Sequence, residues 1–286
     1  MTAVAALLPD GRLHLQHGPI DCLCRAWGQV SEVRAAYAQA ADAFADVLGE
    51  LCGELALLRR MLPAPVPTGG VAKAMHDACA PFAASGITPM AAVAGAVADH
   101  VLTAMTRGRT LSRAFVNNGG DIAFHLAAGE ALSCGLVADL AAPMLDGVFR
   151  LDADQPARGI ATSGRACKGR GGRSFSFGIA DAVTVLAANA AQADAAATIV
   201  ANAVDLPGHP AIERRPANSI DPDSDLGARL VTWDVPALTL GEVRTALDAG
   251  RRVADALRQR GLIEAAVLTL AGQVAASFRQ HALEPA

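Results

Sequence analysis

Aromatic residues are scarce in this chain. They make up 4% of 286 residues, with one Tyr and two Trp, while hydrophobic residues make up 52%. Alanine, valine and leucine must therefore build the core, and such a core is fine-grained and closely packed. An excess of positive charge is also missing. The net charge is −4, which argues against bulk nucleic-acid binding, a task that needs a surface able to displace counterions. Long apolar runs are absent despite a mean hydropathy of +0.30. The run at 90–98 stops at Asp99 and His100, far short of the ~20 residues that span a bilayer, so no membrane partner is expected. The N-terminus has no basic flank and only a very short apolar stretch, unlike a signal peptide. A cytoplasmic protein is expected, with its six cysteines reduced. None forms a Cys-x-x-Cys pair. Cys22 and Cys24 would share one face of a strand, and all but Cys167 read as buried small hydrophobes. The seven histidines lack zinc-site spacing, and no Gly-x-Ser-x-Gly elbow supports a Ser-His-Asp hydrolase.

The elements that are present follow in a clear order. His17-Gly18-Pro19 separates two apolar runs, 13–16 and 20–26, and predicts a hairpin. Ser31 stands as an N-cap before Val33, Tyr37, Phe44, Leu48, Leu51, Leu55 and Leu58, whose spacing predicts one long amphipathic helix. A proline-glycine break at 63–70 and a short helix at 71–79 come next. Thr88-Pro89 predicts the start of a helix over 90–106, where Gly95 admits close approach by a backbone or a flat ligand, with tight helix–sheet packing as the plainer reading. Short strands are expected at 114–117, 121–126, 133–138, 147–151, 159–162 and 183–187, then a helix at 191–204. Residues 214–227 read as a polar loop or flap, and 231–233 as a strand. Thr239-Leu-Gly-Glu242 is a capping box for a helix that closes at Gly261, and 265–270 is a last strand. Strands and helices mix without strict alternation, which predicts an α+β fold of mixed or antiparallel sheets packed with helices, as a single domain over 1–286.

Chemistry concentrates in residues 158–198. Gly164, Gly169, Gly171, Gly172 and Gly178 let backbone approach a ligand closely. Arg165, Lys168, Arg170 and Arg173 add positive charge. Asp194 and Thr198 offer hard oxygen ligands four residues apart, on one face of a helix. The combination suits a phosphate-bearing cofactor. Thr162, Ser163 and Gly164 can cradle phosphate through hydroxyls and amides, with a solvated basic loop as the structural alternative; the order of a Walker loop is missing. By spacing alone Asp194 better suits the first turn of its own helix, where a carboxylate is favourable to the dipole. Asn117, Asn118, Gly119, Gly120 and Asp121 form a hairpin turn whose amides can also bind an anion. Cys167, among cations, is the thiol with a reactive setting, beside the plainer reading of an incidental loop thiol.

In this order these residues resemble the ApbE-like superfamily, whose best-known members are FAD:protein FMN transferases. The stretch from Val116 to Ile122 resembles its Asn-x-Gly-Gly-Asp turn, Ala161-Thr-Ser-Gly164 its Thr-Ser-Gly segment, and Ala193-Asp-Ala-Ala-Ala-Thr198 its Ala-Asp-Ala-x-x-Thr metal motif. Thr-Pro-Met-Ala-Ala-Val-Ala-Gly-Ala-Val-Ala-Asp (88–99), Pro-Asp-Ser-Asp-Leu-Gly (222–227) and similar phrases look like a prokaryotic branch of that superfamily. The resemblance implies FAD or FMN as cofactor, contacted by Asn117, Asn118, Gly119, Gly120, Asp121, Thr162, Ser163, Gly164 and Arg173, and Mg²⁺ at Asp194 and Thr198. The transferases carry a His-Ile-Ile-Asp-Pro-like segment. Here Ser174-Phe-Ser-Phe-Gly-Ile-Ala-Asp181 holds no histidine, so proton transfer at a target hydroxyl lacks its expected agent.

The expectation is a cytoplasmic flavin-nucleotide-binding protein, with Mg²⁺-dependent FMN transferase-like chemistry on FAD left open. Two alternatives stand beside it. One is a sulfur-handling accessory for sulfide assimilation or homocysteine formation, implied by the branch and supported by Cys167. The other is a non-catalytic binding protein on the same fold, motivated by the missing histidine. The expected partners are a flavin nucleotide or another phosphate-bearing small molecule, a protein partner, and a second copy of the chain in a symmetric dimer.

Overall fold

The computed structural model describes residues 2–136, 147–164 and 175–278. The basic loop that carries Cys167 and Arg173 lies outside the described residues. Strands β1 (Val4–Leu7), β2 (Leu13–His17) and β3 (Ile20–Gly28) open the chain. Helices α1 (Val30–Phe44), α2 (Val47–Gly53), α3 (Leu55–Leu58) and α4 (Gly70–Cys79) follow, then two 3-10 segments (Ala80–Ser85 and Pro89–Ala92) and α5 (Val93–Thr106). Next come β4 (Leu111–Asn118), β5 (Asp121–Leu126), β6 (Ala131–Leu136), β7 (Gly147–Asp152), β8 (Gly159–Ser163) and β9 (Ala182–Ala187). Helix α6 (Ala190–Ala203) leads to β10 (Glu213–Pro216), α7 (Ala217–Ile220) and β11 (Leu230–Asp234). Helix α8 (Leu240–Gln259), β12 (Ala265–Leu270) and β13 (Gln273–Ser277) follow. This is an α+β fold. No helix among the described residues is long and apolar enough to cross a membrane.

Two compact units divide the chain. The first comprises Met1–Cys134, Arg150–Ala161 and Ala187–Ala195. Its strands run antiparallel in the order β1-β2-β3-β4-β5-β8. Strand alternation puts Cys22, Cys24 and Ala26 of β3 and Ala114, Val116 and Asn118 of β4 on one buried face. Helix α5 packs against β4 and β5, and α1 packs against α5 and β3. The second unit comprises Gly135–Phe149, Thr162–Leu186 and Ala196–Ala286. There β9, β12 and β13 form an antiparallel ladder, covered by α8, and β10 pairs with β11. Thr239 and Glu242 form the reciprocal capping box that starts α8.

Several elements depart from the sequence reading. The long helix after Ser31 is three helices. The Ala45 N–H bonds to the Asp42 carbonyl, and the Glu54 N–H to the Leu51 carbonyl, so tightened turns end α1 and α2. The apolar period survives these kinks because Phe44, Val47, Leu51 and Leu58 stay buried; periodicity reports the buried face rather than the continuity of the helix. Gln29, not Ser31, takes the N-cap position of α1. Thr88 makes no side-chain cap, and Pro89 opens a 3-10 turn before α5 begins at Val93. Part of the supposed 214–227 loop is ordered as β10 and α7. Cys22, Cys24 and Cys79 are buried as expected, but Cys52 is exposed and Cys134 is half-buried. Burial pushes the Cys24 thiol up to about 12 and raises Cys22 and Cys79 as well.

Candidate functional site

Asp194 and Asp99 form a reciprocal pair at the start of α5 and α6. Asp194 Oδ2, on α6, accepts from the Gly95 N–H of α5 at 3.1 Å, and the Ala94 N–H bonds to the same carboxylate. Asp99, on α5, accepts from the Ala190 and Ala191 N–H groups of α6 at 3.0 and 2.8 Å. Each helix thus caps the other's N-terminus, where amides have no partner within their own helix. Asn189 completes the α6 cap, its side chain accepting from Gln192 N–H at 2.8 Å. Asp194 therefore serves the dipole of α5, not that of its own helix.

Glycine makes this approach possible. A Cβ at Gly95 would lie 2.3 Å from the Ala190 carbonyl oxygen, and one at Gly159 would lie 2.1 Å from the Asn189 carbonyl carbon. The close neighbour of Gly95 is the backbone of α6, so its smallness admits a backbone, as the sequence allowed. Both carboxylates are raised. Burial pushes Asp194 up to about 7, with the charge of Asp99 adding to the shift, and the Gly95 and Ala94 amides oppose it. Burial also pushes Asp99 up to about 6 against its two amide bonds. Neither carboxylate has an Arg, Lys or His ion-pair partner among the described residues.

The β4–β5 turn meets α5 in the same unit. Asn118 pairs with Asp121 across the hairpin, leaving Gly119-Gly120 as the two-residue turn. Both turn glycines have positive φ, +65° and +108°, and no atom lies within 4 Å of where their Cβ would be. Asn117 accepts from Gly120 N–H at 2.8 Å. Asn118, buried, donates from Nδ2 to the Ala94 carbonyl at 3.1 Å. Asn118, the Ala94–Gly95 peptide, Asp194 and Asp99 are therefore one connected group. Sequence reasoning missed Asp99 and Asn189. The available signal for Asp99 was a carboxylate ending an Ala-Val-Gly run, four residues after Gly95.

The remaining sequence-derived residues lie in the second unit. The Thr162 and Thr184 hydroxyls are 2.8 Å apart. Gly164 has φ +132°, and a Cβ there would meet the Asp181 carbonyl oxygen at 2.6 Å. Gly178 packs on α6, with its Cβ position 2.1 Å from the Ala201 carbonyl oxygen, so its smallness serves packing and not a phosphate cradle. Asp181, which ends the segment lacking histidine, accepts from Ala271 N–H at 2.6 Å. Thr198 lies one turn beyond Asp194 on α6 and is half-buried. Ser163 is half-buried at the end of β8.

Asp194 and Thr198 offer hard oxygen atoms four residues apart on α6. Asp194 is a half-buried carboxylate with no cationic ion-pair partner among the described residues, and Thr198 supplies a hydroxyl on the same helix. No group of three or more His, Cys, Asp or Glu suited to a metal occurs among the described residues. Mg²⁺ in general takes one or two carboxylates and completes its shell with water and ligand phosphates. The open hairpin turn at Gly119 and Gly120 leaves room for a ligand, whereas the N-termini of α5 and α6 are already filled by carboxylates.

A family-model match over most of the chain places this α+β protein in the ApbE-like class. The family model described as AbpE bacteria matches residues 5–276, and the chain belongs to that family. A UPF0280 protein of Methanospirillum hungatei is 32% identical over 56% of this chain and 63% of its own length. The chain thus spans less than two thirds of that relative. A UPF0280 protein of Methanothrix thermoacetophila is 32% identical over 64% of this chain and 72% of its own. The crystal structure of the ApbE protein from Thermotoga maritima overlaps 88% of this chain and 77% of that one, at 14% identity and a TM-score of 0.37, too loose a likeness to transfer any residue.

Proposed function

We propose that this protein binds a flavin nucleotide, FAD or FMN, together with Mg²⁺. The observation that carries the reading is the connected group in the first unit. A half-buried carboxylate without a cationic partner among the described residues, Asp194, and the hairpin residue Asn118 hold the same peptide of α5. Asp194 and Thr198 would hold the cation, and the open turn from Asn117 to Asp121 would approach the pyrophosphate. Thr162, Ser163, Gly164 and Arg173 belong to the same reading as further phosphate contacts. Bound Mg²⁺ would supply charge neutralisation for the phosphates. Cytoplasmic residence, a single domain and a symmetric dimer go with it.

Binding is favoured over FMN transfer for a chemical reason. The segment that carries histidine in the transferases ends here in Asp181, whose carboxylate is engaged by the Ala271 amide. A group already holding a backbone donor is a poor proton acceptor for a target hydroxyl.

The test is Asp194→Asn. The amide oxygen can still accept from the Gly95 N–H, so the main bond of the α5 cap survives although the Ala94 N–H bond is weakened, but the charge a cation needs is gone. FAD binding should lose its Mg²⁺ dependence while the unfolding midpoint stays near that of the parent. Unchanged Mg²⁺-dependent affinity would overturn the assignment.

A further inference from the structure

A single peptide in the first unit is gripped from both sides. Its carbonyl, on Ala94, accepts from Asn118 Nδ2 at 3.1 Å. Its N–H, on Gly95, donates to Asp194 Oδ2 at 3.1 Å. A carbonyl oxygen only accepts, so the NH₂ of Asn118 must face it. The peptide plane is rigid, so displacement at one end is carried to the other. Its surroundings leave little slack. Gly95 abuts the Ala190 backbone closely enough to exclude a Cβ. Asn118 is buried and fixed in the ladder between Cys22 and Asp121.

We propose that Asn118 is a positioning residue for the cation site at Asp194. By holding the Ala94–Gly95 peptide, it aims the Gly95 N–H at Asp194 and fixes the rotation of that carboxylate. The hairpin turn and the cation site are thereby coupled before any nucleotide arrives. This inference rests on the reading of Asp194 as a cation ligand, but it adds a residue outside the metal motif and a route between the two halves of the site. A carboxylate already held in one rotamer gives up less freedom on binding a cation, so loss of its support weakens binding.

The experiment measures Mn²⁺ affinity of the full chain, without nucleotide, by the electron paramagnetic resonance signal of free Mn²⁺. Asn118→Leu keeps size and removes the donor. Its Mn²⁺ binding should weaken roughly three- to tenfold, the equivalent of one hydrogen bond. Val116→Ala, two residues earlier on the same buried face, lowers stability without touching the peptide, and its Mn²⁺ affinity should match the parent. Parent-like affinity in Asn118→Leu would overturn the inference, as would equal weakening in Val116→Ala. A second measurement needs no variant. In ¹⁵N-labelled parent protein, the Asn118 side-chain NH₂ resonances should move on addition of Mg²⁺, and stationary resonances in a protein that binds Mg²⁺ would refute the coupling. Failure of the parent to bind either ion would instead remove the cation reading, and the inference with it.

Discussion

Gly95→Ala should destabilise this protein although it places a better helix former inside a helix. Alanine in place of glycine in a helix interior ordinarily gains about 1 kcal/mol. Here the new Cβ would sit 2.3 Å from the Ala190 carbonyl oxygen, 2.5 Å from its carbonyl carbon and 2.7 Å from the Ala191 nitrogen. All three are backbone atoms, so no side-chain rotation relieves the overlap. The helices must part, and overpacking of this kind costs about 1–3 kcal/mol. Parting also stretches the bonds that Asp194 and Asp99 make across the crossing. Hydrogen bonds to charged groups contribute about 1.5–3 kcal/mol each, so weakening even one exceeds the propensity gain. The net loss should be about 2–4 kcal/mol, a fall in Tm of roughly 5–15 °C. Urea unfolding followed by circular dichroism reads this directly. Gly49→Ala in α2 is the internal control, because nothing lies within 4 Å of its Cβ position; it should gain up to about 1 kcal/mol. If Gly95→Ala is as stable as the parent, or gains like Gly49→Ala, the close approach of α5 and α6 is wrong.

Thr239→Ala should cost about 1 kcal/mol, because Thr239 accepts from Glu242 N–H in the α8 capping box; an unchanged urea midpoint would count against that box. Asp99→Asn should flatten the pH dependence of stability. The folded Asp99 is raised to about 6, above its ordinary value of 3.8, so its contribution is full below about pH 4 and is lost as pH rises through 6. Urea midpoints across pH 4–7 should fall more steeply in the parent than in the variant, and parallel curves would contradict the raised carboxyl.

Local chemistry made part of this structure legible. Asn-Asn-Gly-Gly-Asp at 117–121 reads as a hairpin because only residues tolerant of positive φ fit a two-residue turn, and the turn forms at Gly119 and Gly120. Thr239 and Glu242 announce α8 because both halves of a capping box lie within four residues. The connected group was only half legible. Asp194 was visible through its motif, but its bond to α5 joins residues 99 positions apart in sequence. Asp99 was visible only as the end of an apolar run, since no local rule marks a carboxylate that caps another helix. Gly95 signalled close approach without naming the neighbour. The kinks after α1 and α2 left no trace because the apolar face continues through them.

The central claim is tested most directly by titrating FAD into the protein by calorimetry, with and without Mg²⁺, and then analysing the nucleotide by mass spectrometry. Binding that requires Mg²⁺ and leaves FAD intact is the predicted result. Absence of binding, or binding indifferent to Mg²⁺, would contradict the account of Asp194 and its neighbours. Release of AMP would keep the site and overturn the preference for binding over transfer.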